Sequence, residues 1–151
     1  PWQFGKVDQG VFSLWVQAHY FKRSLSYIGF GGMGKQVRDL LHVDDLFDLL
    51  DMQLADLEKA KGKVYNVGGG LPCSLSLLET TRICEELTGN TIAIRGDAEN
   101  RPADLAIYIG DNRRVTADYG WSPKRDARTI LADLFAWVRS QEASLKTLAT
   151  L

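Results

Sequence analysis

The sequence contains few of the residues on which disulfide-rich and metal-binding proteins depend. Cys73 and Cys84 are its two cysteines, they do not form a C-x-x-C pair, and there are two histidines. This scarcity predicts reduced thiols in a cytoplasmic protein, with no disulfide scaffold and no bound metal. No apolar run approaches the roughly 18 residues of a membrane-spanning helix. The net charge of −1 leaves no overall field to attract nucleic acid or an anionic membrane.

The composition is that of an ordinary globular protein. The 151 residues, 45% of them hydrophobic and 25% charged, are enough for one domain with a buried core. Apolar residues at helical spacing alternate with short β-type runs, which predicts a layered α/β fold. The predicted helices lie at about 8–23, 43–57, 76–89, 111–120 and from 126 on, and the predicted strands lie at 25–28, 63–67 and 91–95.

Two of these helices show the clearest apolar periodicity. In the second helix the periodic residues are Val43, Leu46, Phe47, Leu50, Leu54 and Leu57, and in the last helix they are Ala127, Ile130, Leu131, Leu134, Phe135 and Val138. Each set follows the i, i+3, i+4, i+7 rule that places apolar side chains on one face. The tail from Gln141 is expected to fray.

Capping residues define the ends of the other helices. Ser76 and Glu79 have the spacing of a capping box, and Gly89 is a typical helix stop. Leu77, Thr80, Cys84 and Leu87 form the predicted inner stripe of that helix. Asp111 and Asp126 are predicted to cap the next two helices.

The most unusual stretch is the glycine-rich segment that runs from Gly29 to Asp45. Gly29, Gly31 and Gly34 fit G-x-G-x-x-G, and residues 29–35 fit the start of a P-loop. Both motifs need a helix directly after the last glycine, and the residues after Gly34 have no helical period. Two interpretations remain: a mobile surface loop, or a loop that closes over a ligand whose phosphates meet Arg38.

Two arginines are the principal candidates for ligand binding. Arg38 and Arg101 each follow or lie in a loop, with Asp39 and Asp104 nearby. The planar guanidinium group makes paired, charge-assisted hydrogen bonds to phosphate. The alternative is that each arginine forms a surface ion pair with its neighbouring acid.

Other polar and aromatic residues favour structural roles. His42 precedes Asp44 and Asp45, and is better explained by packing or hydrogen bonding than by catalysis. The two aspartates fit a helix start. His19 is expected to be structural, and Trp2, Phe4 and Trp121 are expected to pack rather than stack on a base.

The motifs together resemble a known family. Seven of them follow one another along nearly the whole chain: Pro1-Trp-Gln-Phe-Gly5, Asp8-Gln-Gly10, Gly34-Lys-Gln-Val-Arg-Asp39, His42-Val-Asp-Asp45, Val64-Tyr-Asn-Val-Gly-Gly-Gly70, Arg101-Pro-x-Asp104 and Gly120-Trp-Ser-Pro123. This set resembles the C-terminal, substrate-binding half of an extended short-chain dehydrogenase/reductase of the nucleotide-sugar epimerase/dehydratase group. The resemblance implies the C-terminal part of a Rossmann-type α/β fold.

The resemblance also implies roles for individual residues. Arg38 and Arg101 would grip the diphosphate of a nucleotide sugar, with CDP-hexose as the expected substrate. Gln9, at the start of the first helix, and Asp104 would join them in substrate binding. Ala103 replaces the glycine of the usual Arg-Pro-Gly-Asp pattern, which leaves the loop geometry around Arg101 open.

The resemblance further implies that catalysis requires an N-terminal half that these residues do not include. That half would hold NAD and the catalytic Ser/Thr, Tyr and Lys, and no Tyr-x-x-x-Lys occurs in this sequence. The sequence also begins without an initiator methionine. We therefore expect a fragment that is inactive alone, has no catalytic or metal-binding residues of its own, and self-associates as a homo-oligomer to cover exposed apolar surface.

The reaction implied is oxidation of the sugar at C2 by bound NAD⁺, followed by reduction of the keto sugar from the opposite face. The alternatives are a nucleotide-sugar 4,6-dehydratase, 4-epimerase or decarboxylase, or a nucleotide-binding module without catalysis.

Overall fold

The computed structural model describes residues 10–102 and 104–148, with the side chain of Leu148 left out. These residues form two compact units, each built from separate stretches of sequence. The first unit contains the segments up to Gln36, from Ser76 to Ala106 and from Leu131 on. The second contains Val37–Leu75 and Ile107–Ile130. No helix of the described part is both long and apolar enough to span a bilayer.

Helices and short strands alternate along the described chain, as predicted. The helices are α1 (Val11–Tyr20), α2 (Val43–Ala55), α3 (Leu57–Ala60), α4 (Leu77–Thr88), α5 (Arg113–Tyr119), α6 (Ala127–Ser140) and α7 (Glu142–Leu148). The strands are β1 (Leu25–Ile28), β2 (Val37–Asp39), β3 (Ser74–Ser76), β4 (Ile94–Asp97) and β5 (Ile107–Tyr108). The mixed α/β class is confirmed.

The first unit is built on one parallel strand pair and a polar contact inside its core. β1 pairs with β4 in the register Leu25↔Ile94 to Ile28↔Asp97. Thr81 of α4 accepts a 2.9 Å hydrogen bond from the indole N–H of Trp15, and its Oγ1 lies 2.7 Å from the hydroxyl of Tyr27. Because Trp15 is buried, this partner satisfies a donor that burial would otherwise leave unpaired.

The second unit contains a three-stranded sheet in the order β3-β2-β5, in which β2 and β5 run parallel. Its apolar core is a cluster of Leu49, Val115 and Trp121. Trp121 therefore has the packing role expected from the sequence, whereas Trp2 and Phe4 lie outside the described residues.

The caps predicted for α4 and α6 are confirmed, and so is the inner face of the last helix except for Phe135, which is half-buried. Ser76 and Glu79 form the reciprocal capping box of α4, and Gly89 ends that helix. Asp126 accepts a 2.7 Å hydrogen bond from the backbone N–H of Thr129 at the start of α6. The buried residues of α6 are Ala127, Ile130, Leu131, Leu134 and Val138. The prediction for Asp111 was wrong by one residue: the N-cap of α5 is Asn112, although Asp111 accepts a 3.0 Å hydrogen bond from the backbone N–H of Arg113.

Three element predictions were wrong or displaced. Residues 63–67 form no strand, because no described segment pairs with their backbone and a β-ladder needs a neighbour. The strand predicted at 91–95 begins three residues later, at Ile94. The tail after Gln141 continues as α7, where the buried side chain of Leu145 anchors it.

The apolar stripe of α2 differs most from what its periodicity suggests. The helix begins at Val43 as predicted. It ends at Ala55, because the backbone of Asp56 leaves the helical conformation before α3 begins. Its buried residues are Asp45 and Leu49, whereas the periodic residues Val43, Leu46, Phe47, Leu50 and Leu54 are exposed.

Candidate functional site

The glycine-rich segment does not form either phosphate-binding motif that its sequence resembles. Residues Phe30–Gly32 make one turn of 3₁₀ helix, and the chain then enters β2. A P-loop or a dinucleotide-binding turn aims the N-terminus of an α-helix at phosphate, and no α-helix follows here. These two interpretations of the glycine spacing are therefore excluded.

The loop is fixed by close backbone contacts within the first unit. A side chain at Gly32 would lie 2.8 Å from the backbone nitrogen of Asp97, so this approach requires glycine. The amide nitrogen of Gln36 donates to the carbonyl of Ile28 across the base of the loop. These contacts hold the loop in one conformation. They do not support the interpretation of the segment as a mobile surface loop.

The start of α4 is also joined to this loop. The backbone N–H groups of Leu77 and Leu78 donate to the carbonyls of Gln36 and Gly34 at 3.2 and 2.9 Å. The first N–H groups of a helix have no partner inside the helix. Since the loop accepts two of them, they help to hold the glycine segment in place.

The segment that carries Arg101 lies directly against the glycine-rich loop. The side-chain oxygen of Asn100 accepts a 2.6 Å hydrogen bond from the backbone N–H of Phe30, and a side chain at Gly29 would lie 3.1 Å from the same oxygen. Arg101 itself is exposed. The N–H of Asp104 donates to the carbonyl of Arg101 at 3.2 Å, which closes a short turn. Ala103 lies outside the described residues.

Arg38 lies on the central strand of the sheet in the second unit. It pairs in register with Tyr108 of β5, and its guanidinium donates to the carbonyl of Val37 at 2.8 Å. The side chain is half-buried. A sheet position gives an arginine a better-defined direction than a loop position.

Asp39, the next residue, joins two glycine segments. Its Oδ2 accepts hydrogen bonds from the N–H groups of Gly70 and Gly110, at 2.9 and 3.0 Å. A side chain at Gly69 would lie 1.8 Å from the carbonyl oxygen of Leu40. Glycine in the Gly68-Gly69-Gly70 run therefore allows the backbone to pass in close contact with the end of β2.

Asn112 reinforces this crossing and was missed in the sequence analysis. Its side chain accepts from the N–H of Gly68 at 3.0 Å and donates to the carbonyl of Gly68 at 2.7 Å. The available signal was its place in Asp111-Asn112, a polar pair immediately after the short apolar run and Gly110. Polar residues that follow a strand commonly contribute to loop structure or binding.

The His42-Val-Asp-Asp45 motif is a helix start with an ion pair. His42 Nδ1 accepts the N–H of Asp44 at 3.1 Å and caps α2, so the packing and hydrogen-bonding interpretation is confirmed. Asp45 is fully buried. It accepts from the guanidinium and the backbone N–H of Arg125, at 2.6 and 3.2 Å, and Trp121 donates to its carbonyl at 2.9 Å. Its function is structural.

An open groove of about 990 Å³ also lies in the second unit. Its three cations are already paired with acids: Arg113 with Asp111, Lys124 with Asp48, and Arg125 with Asp45. The hydrogen bonds from Arg113 lower the pKa of Asp111 to about 2. Because these three cations already have acidic partners, none of them is left unpaired to select an anionic ligand.

The two cysteines are inert structural thiols. Both are free and buried, and burial raises the pKa of Cys73 to about 11 and that of Cys84 to about 12. The reactive thiolate form is therefore scarce at neutral pH. No group of three or more potential metal ligands occurs in the part of the chain that the structure describes.

The predicted site residues are thus distributed over the two units. Arg38 belongs to the second unit, and Arg101 and Asp104 belong to the first. The structure brings the Arg101 loop against the glycine-rich loop. Gln9 lies outside the described residues.

Known proteins show strong similarity to this chain in sequence. A profile of the NAD dependent epimerase/dehydratase family matches residues 2–68. CDP-paratose 2-epimerase of Salmonella typhi is 31% identical over 140 residues, which cover 91% of this chain and 41% of that protein. UDP-glucose 4-epimerase of Corynebacterium glutamicum is 31% identical over 105 residues, 69% of this chain and 31% of that protein. The chain thus spans less than half the length of these relatives.

Solved structures share the fold. MoeE5 in complex with UDP-glucose and NAD has a TM-score of 0.75 and 25% identity, and the match covers 91% of this chain and 44% of that one. UDP-glucose 4-epimerase of Thermotoga maritima, solved with UDP-glucose, has a TM-score of 0.72 and 20% identity, with 93% of this chain and 43% of that one covered. The ordered motifs, the α/β fold and these matches agree: the chain belongs to the NAD dependent epimerase/dehydratase family.

Proposed function

We propose that this chain is the substrate-binding, C-terminal portion of an NAD-dependent nucleotide-sugar epimerase that resembles CDP-paratose 2-epimerase. Residues 1–151 would bind the nucleotide sugar, with CDP-hexose as the expected substrate. Arg38 and Arg101 would hold its diphosphate, assisted by Gln9 and Asp104. The similarity to CDP-paratose 2-epimerase over 91% of the chain carries this proposal.

The setting of Arg38 supports its role. Its neighbour Asp39 is fixed by two backbone N–H groups, and Arg38 itself lies in the middle strand of a sheet. A guanidinium held by rigid backbone loses less conformational entropy when it binds a phosphate than one on a free loop. This arrangement suits a residue that must recognise a diphosphate with defined geometry.

The setting of Arg101 supports a complementary role. The residue before it, Asn100, is hydrogen-bonded to the glycine-rich loop, while the exposed guanidinium remains accessible to a ligand. The loop conformation is therefore fixed at its base, and the long side chain can adjust to the substrate. Asp104 closes the turn that follows Arg101.

The residues described here do not fit an NAD site. Binding of the dinucleotide pyrophosphate requires a strand, a glycine turn and a helix in succession, and the glycine-rich loop leads into β2 instead. We therefore assign NAD and the catalytic acid–base groups to polypeptide beyond these 151 residues. The present chain would bind and orient the sugar while the cofactor supplies the redox chemistry. We place the protein in the cytoplasm, in keeping with its two free thiols.

Calorimetry with CDP tests the binding role on the chain itself. We expect CDP to bind, and we expect Arg38→Ala and Arg101→Ala each to weaken binding at least about tenfold, because a hydrogen bond to a charged group contributes about 1.5–3 kcal/mol. Arg82→Ala, at an exposed position of α4, is the control and should leave the affinity unchanged. The absence of CDP binding, or equal affinity in all three variants, would overturn the proposal.

The position of oxidation distinguishes this proposal from its nearest alternatives. UDP-glucose 4-epimerases and a dTDP-glucose 4,6-dehydratase of Streptomyces griseus are also about 30% identical to the chain. We expect a protein that contains this chain to oxidise CDP-hexose at C2 and to reduce the keto sugar from the opposite face. NMR analysis of products from a panel of nucleotide sugars would identify a 4-epimerase, a dehydratase or a decarboxylase instead. Tight nucleotide binding without turnover would indicate a non-catalytic module.

A further inference from the structure

Phe30, in the glycine-rich loop, has a backbone conformation that its side chain disfavours. Its φ angle is +51°, in the left-handed region where a bulky residue is an outlier. Gly29 and Gly31 on either side have φ angles of +83° and +82°, which glycine adopts without steric cost. Among the described residues, Lys22 is the other non-glycine residue with a positive φ, and it lies in an exposed turn after α1. Strain of this kind persists where the surrounding structure enforces it, commonly at ligand-binding sites.

Three hydrogen bonds hold the backbone around Phe30 in this conformation. The N–H of Phe30 donates to the side-chain oxygen of Asn100 at 2.6 Å. The N–H of Gly29 donates to the carbonyl of Asp97 at 2.7 Å, and the N–H of Gly32 donates to the carbonyl of Gly29 at 2.9 Å. All these residues belong to the first unit. The direction in which the phenyl side chain leaves the backbone is therefore fixed by the fold, before any ligand binds.

Core packing does not account for the strain at Phe30. The residue is half-buried and does not belong to the set of buried hydrophobic residues. Within the described part of the chain, neither an aromatic ring nor a cation packs against its ring. Part of the ring surface therefore remains accessible to a ligand.

The backbone of Phe30 is joined to the segment that carries Arg101. Asn100, which accepts the hydrogen bond from Phe30, directly precedes Arg101, whose exposed guanidinium is the proposed ligand of the diphosphate. In a nucleotide only a ribose separates the base from the diphosphate. A base whose diphosphate is bound by Arg101 must therefore lie close to this arginine. An aromatic side chain anchored beside Arg101 can stack on the base, because every nucleobase has an aromatic face.

We infer that the nucleobase of the substrate stacks on Phe30, and that Asn100 holds this ring beside Arg101 so that base and diphosphate are bound together. The inference rests on the proposed function and deepens it, because it assigns a residue to the nucleoside part of the ligand. Stacking uses the aromatic face that all bases share. Phe30 therefore contributes affinity for a nucleotide and does not itself distinguish cytosine from uracil.

Calorimetry with CDP and with inorganic pyrophosphate, which has no base, tests the stacking role. We expect Phe30→Ala to weaken the binding of CDP about tenfold, through loss of one base–aromatic stack, and to leave the binding of pyrophosphate unchanged. Phe30→Tyr keeps an aromatic ring and should bind CDP as the native chain does. Arg101→Ala should weaken the binding of both probes, because it removes a charged partner of the diphosphate.

Phe30→Gly separates the effect of the ring from that of the strained backbone. Glycine adopts the left-handed conformation without steric cost, so the loop should keep its shape while the ring is lost. We expect the affinity for CDP to fall as far as in Phe30→Ala, and the melting temperature to be no lower than that of Phe30→Ala. Native affinity for CDP in Phe30→Gly would show that the ring is not needed for binding, and would overturn the inference.

The same measurements distinguish a failure of this inference from a failure of the proposed function. If Phe30→Ala binds CDP as tightly as the native chain, or weakens CDP and pyrophosphate equally, the base does not stack on Phe30 and the inference is wrong, while the proposed diphosphate site stands. If the native chain binds neither CDP nor pyrophosphate, the proposed function fails and the inference fails with it.

Discussion

The helices α2 and α6 have similar sequence patterns and opposite surroundings. Both carry large apolar residues at i, i+3, i+4 and i+7. In α6 all of these residues except half-buried Phe135 are buried, with Leu131 and Val138 completely inaccessible. In α2 the corresponding residues are exposed, and the contact with the core is made by Asp45 and Leu49.

The difference shows what apolar periodicity measures. Periodicity reports that a helix has one apolar face, because every third or fourth side chain points the same way. It does not report what covers that face, which depends on segments distant in sequence or on another polypeptide. For α6 the cover lies within the described residues, whereas the described residues leave the apolar face of α2 exposed.

The largest expected effect tests how α2 is attached. Asp45→Ala removes the buried carboxylate that accepts hydrogen bonds from the guanidinium and the backbone N–H of Arg125. We expect a loss of about 3–5 kcal/mol in the free energy of unfolding, because two hydrogen bonds to a charged group are lost and each contributes about 1.5–3 kcal/mol. Asp44→Ala is the control, since this neighbouring carboxylate is 58% exposed and its ion pair should contribute less than about 1 kcal/mol. Urea denaturation measures both; similar losses would show that burial does not distinguish the two aspartates.

A second pair of variants compares the two apolar faces directly. Leu131→Ala in α6 should lower the free energy of unfolding by about 3 kcal/mol, since it leaves a cavity in a close-packed core. Leu54→Ala in α2 should change it by no more than about 0.5 kcal/mol, because Leu54 is 68% exposed. Urea denaturation at low protein concentration measures the free energy of unfolding of both variants. A large loss for Leu54→Ala under those conditions would mean that the α2 face is covered within one chain.

The smallest effect concerns α4, whose start is defined locally. Glu79→Ala should cost about 1 kcal/mol at neutral pH through loss of the capping box. Hydrogen bonds from Ser76 lower the pKa of Glu79 below its ordinary value near 4.5. The ionised carboxylate therefore stabilises the folded state above that value, and the contribution is lost as the pH falls through the lowered pKa.

Urea unfolding between pH 3 and pH 7 checks this pH dependence. The difference between native chain and Glu79→Ala should shrink on acidification. Glu79→Gln keeps a side-chain acceptor without the titrating charge, so its stability relative to Glu79→Ala should vary little with pH in this range. A constant difference between the native chain and Glu79→Ala would contradict an ionised cap.

Local signals in the sequence predicted much of the helical structure. The capping box at Ser76 and the stop at Gly89 placed α4 correctly, because both act through hydrogen bonds within a few residues. Helix starts at Val43 and after Asp126 were found for the same reason. The strands were predicted less well: β2, β3 and β5 were not predicted, and the segment 63–67 forms no strand, since β pairing depends on distant partners.

The sequence identified the candidate ligand-binding residues, but not the hydrogen bonds that hold the surrounding backbone in place. Resemblance to a family identified Arg38 and Arg101. Four hydrogen bonds of this kind join residues 31 to 71 positions apart: Asp39 accepts from Gly70 and Gly110, Asn112 accepts from Gly68, and Asn100 accepts from Phe30. No local pattern encodes such pairs.

By itself the sequence determined the class of fold, the positions of the capped helices and the family to which the chain belongs, because these follow from periodicity, short-range hydrogen bonds and ordered motifs. Only the tertiary structure decided that Asp45 of α2 is buried while Leu46, Leu50 and Leu54 are exposed. The reason is physical: the fate of a side chain depends on which surfaces meet, and the buried ion pair with Arg125 turns α2 so that its polar anchor faces inward.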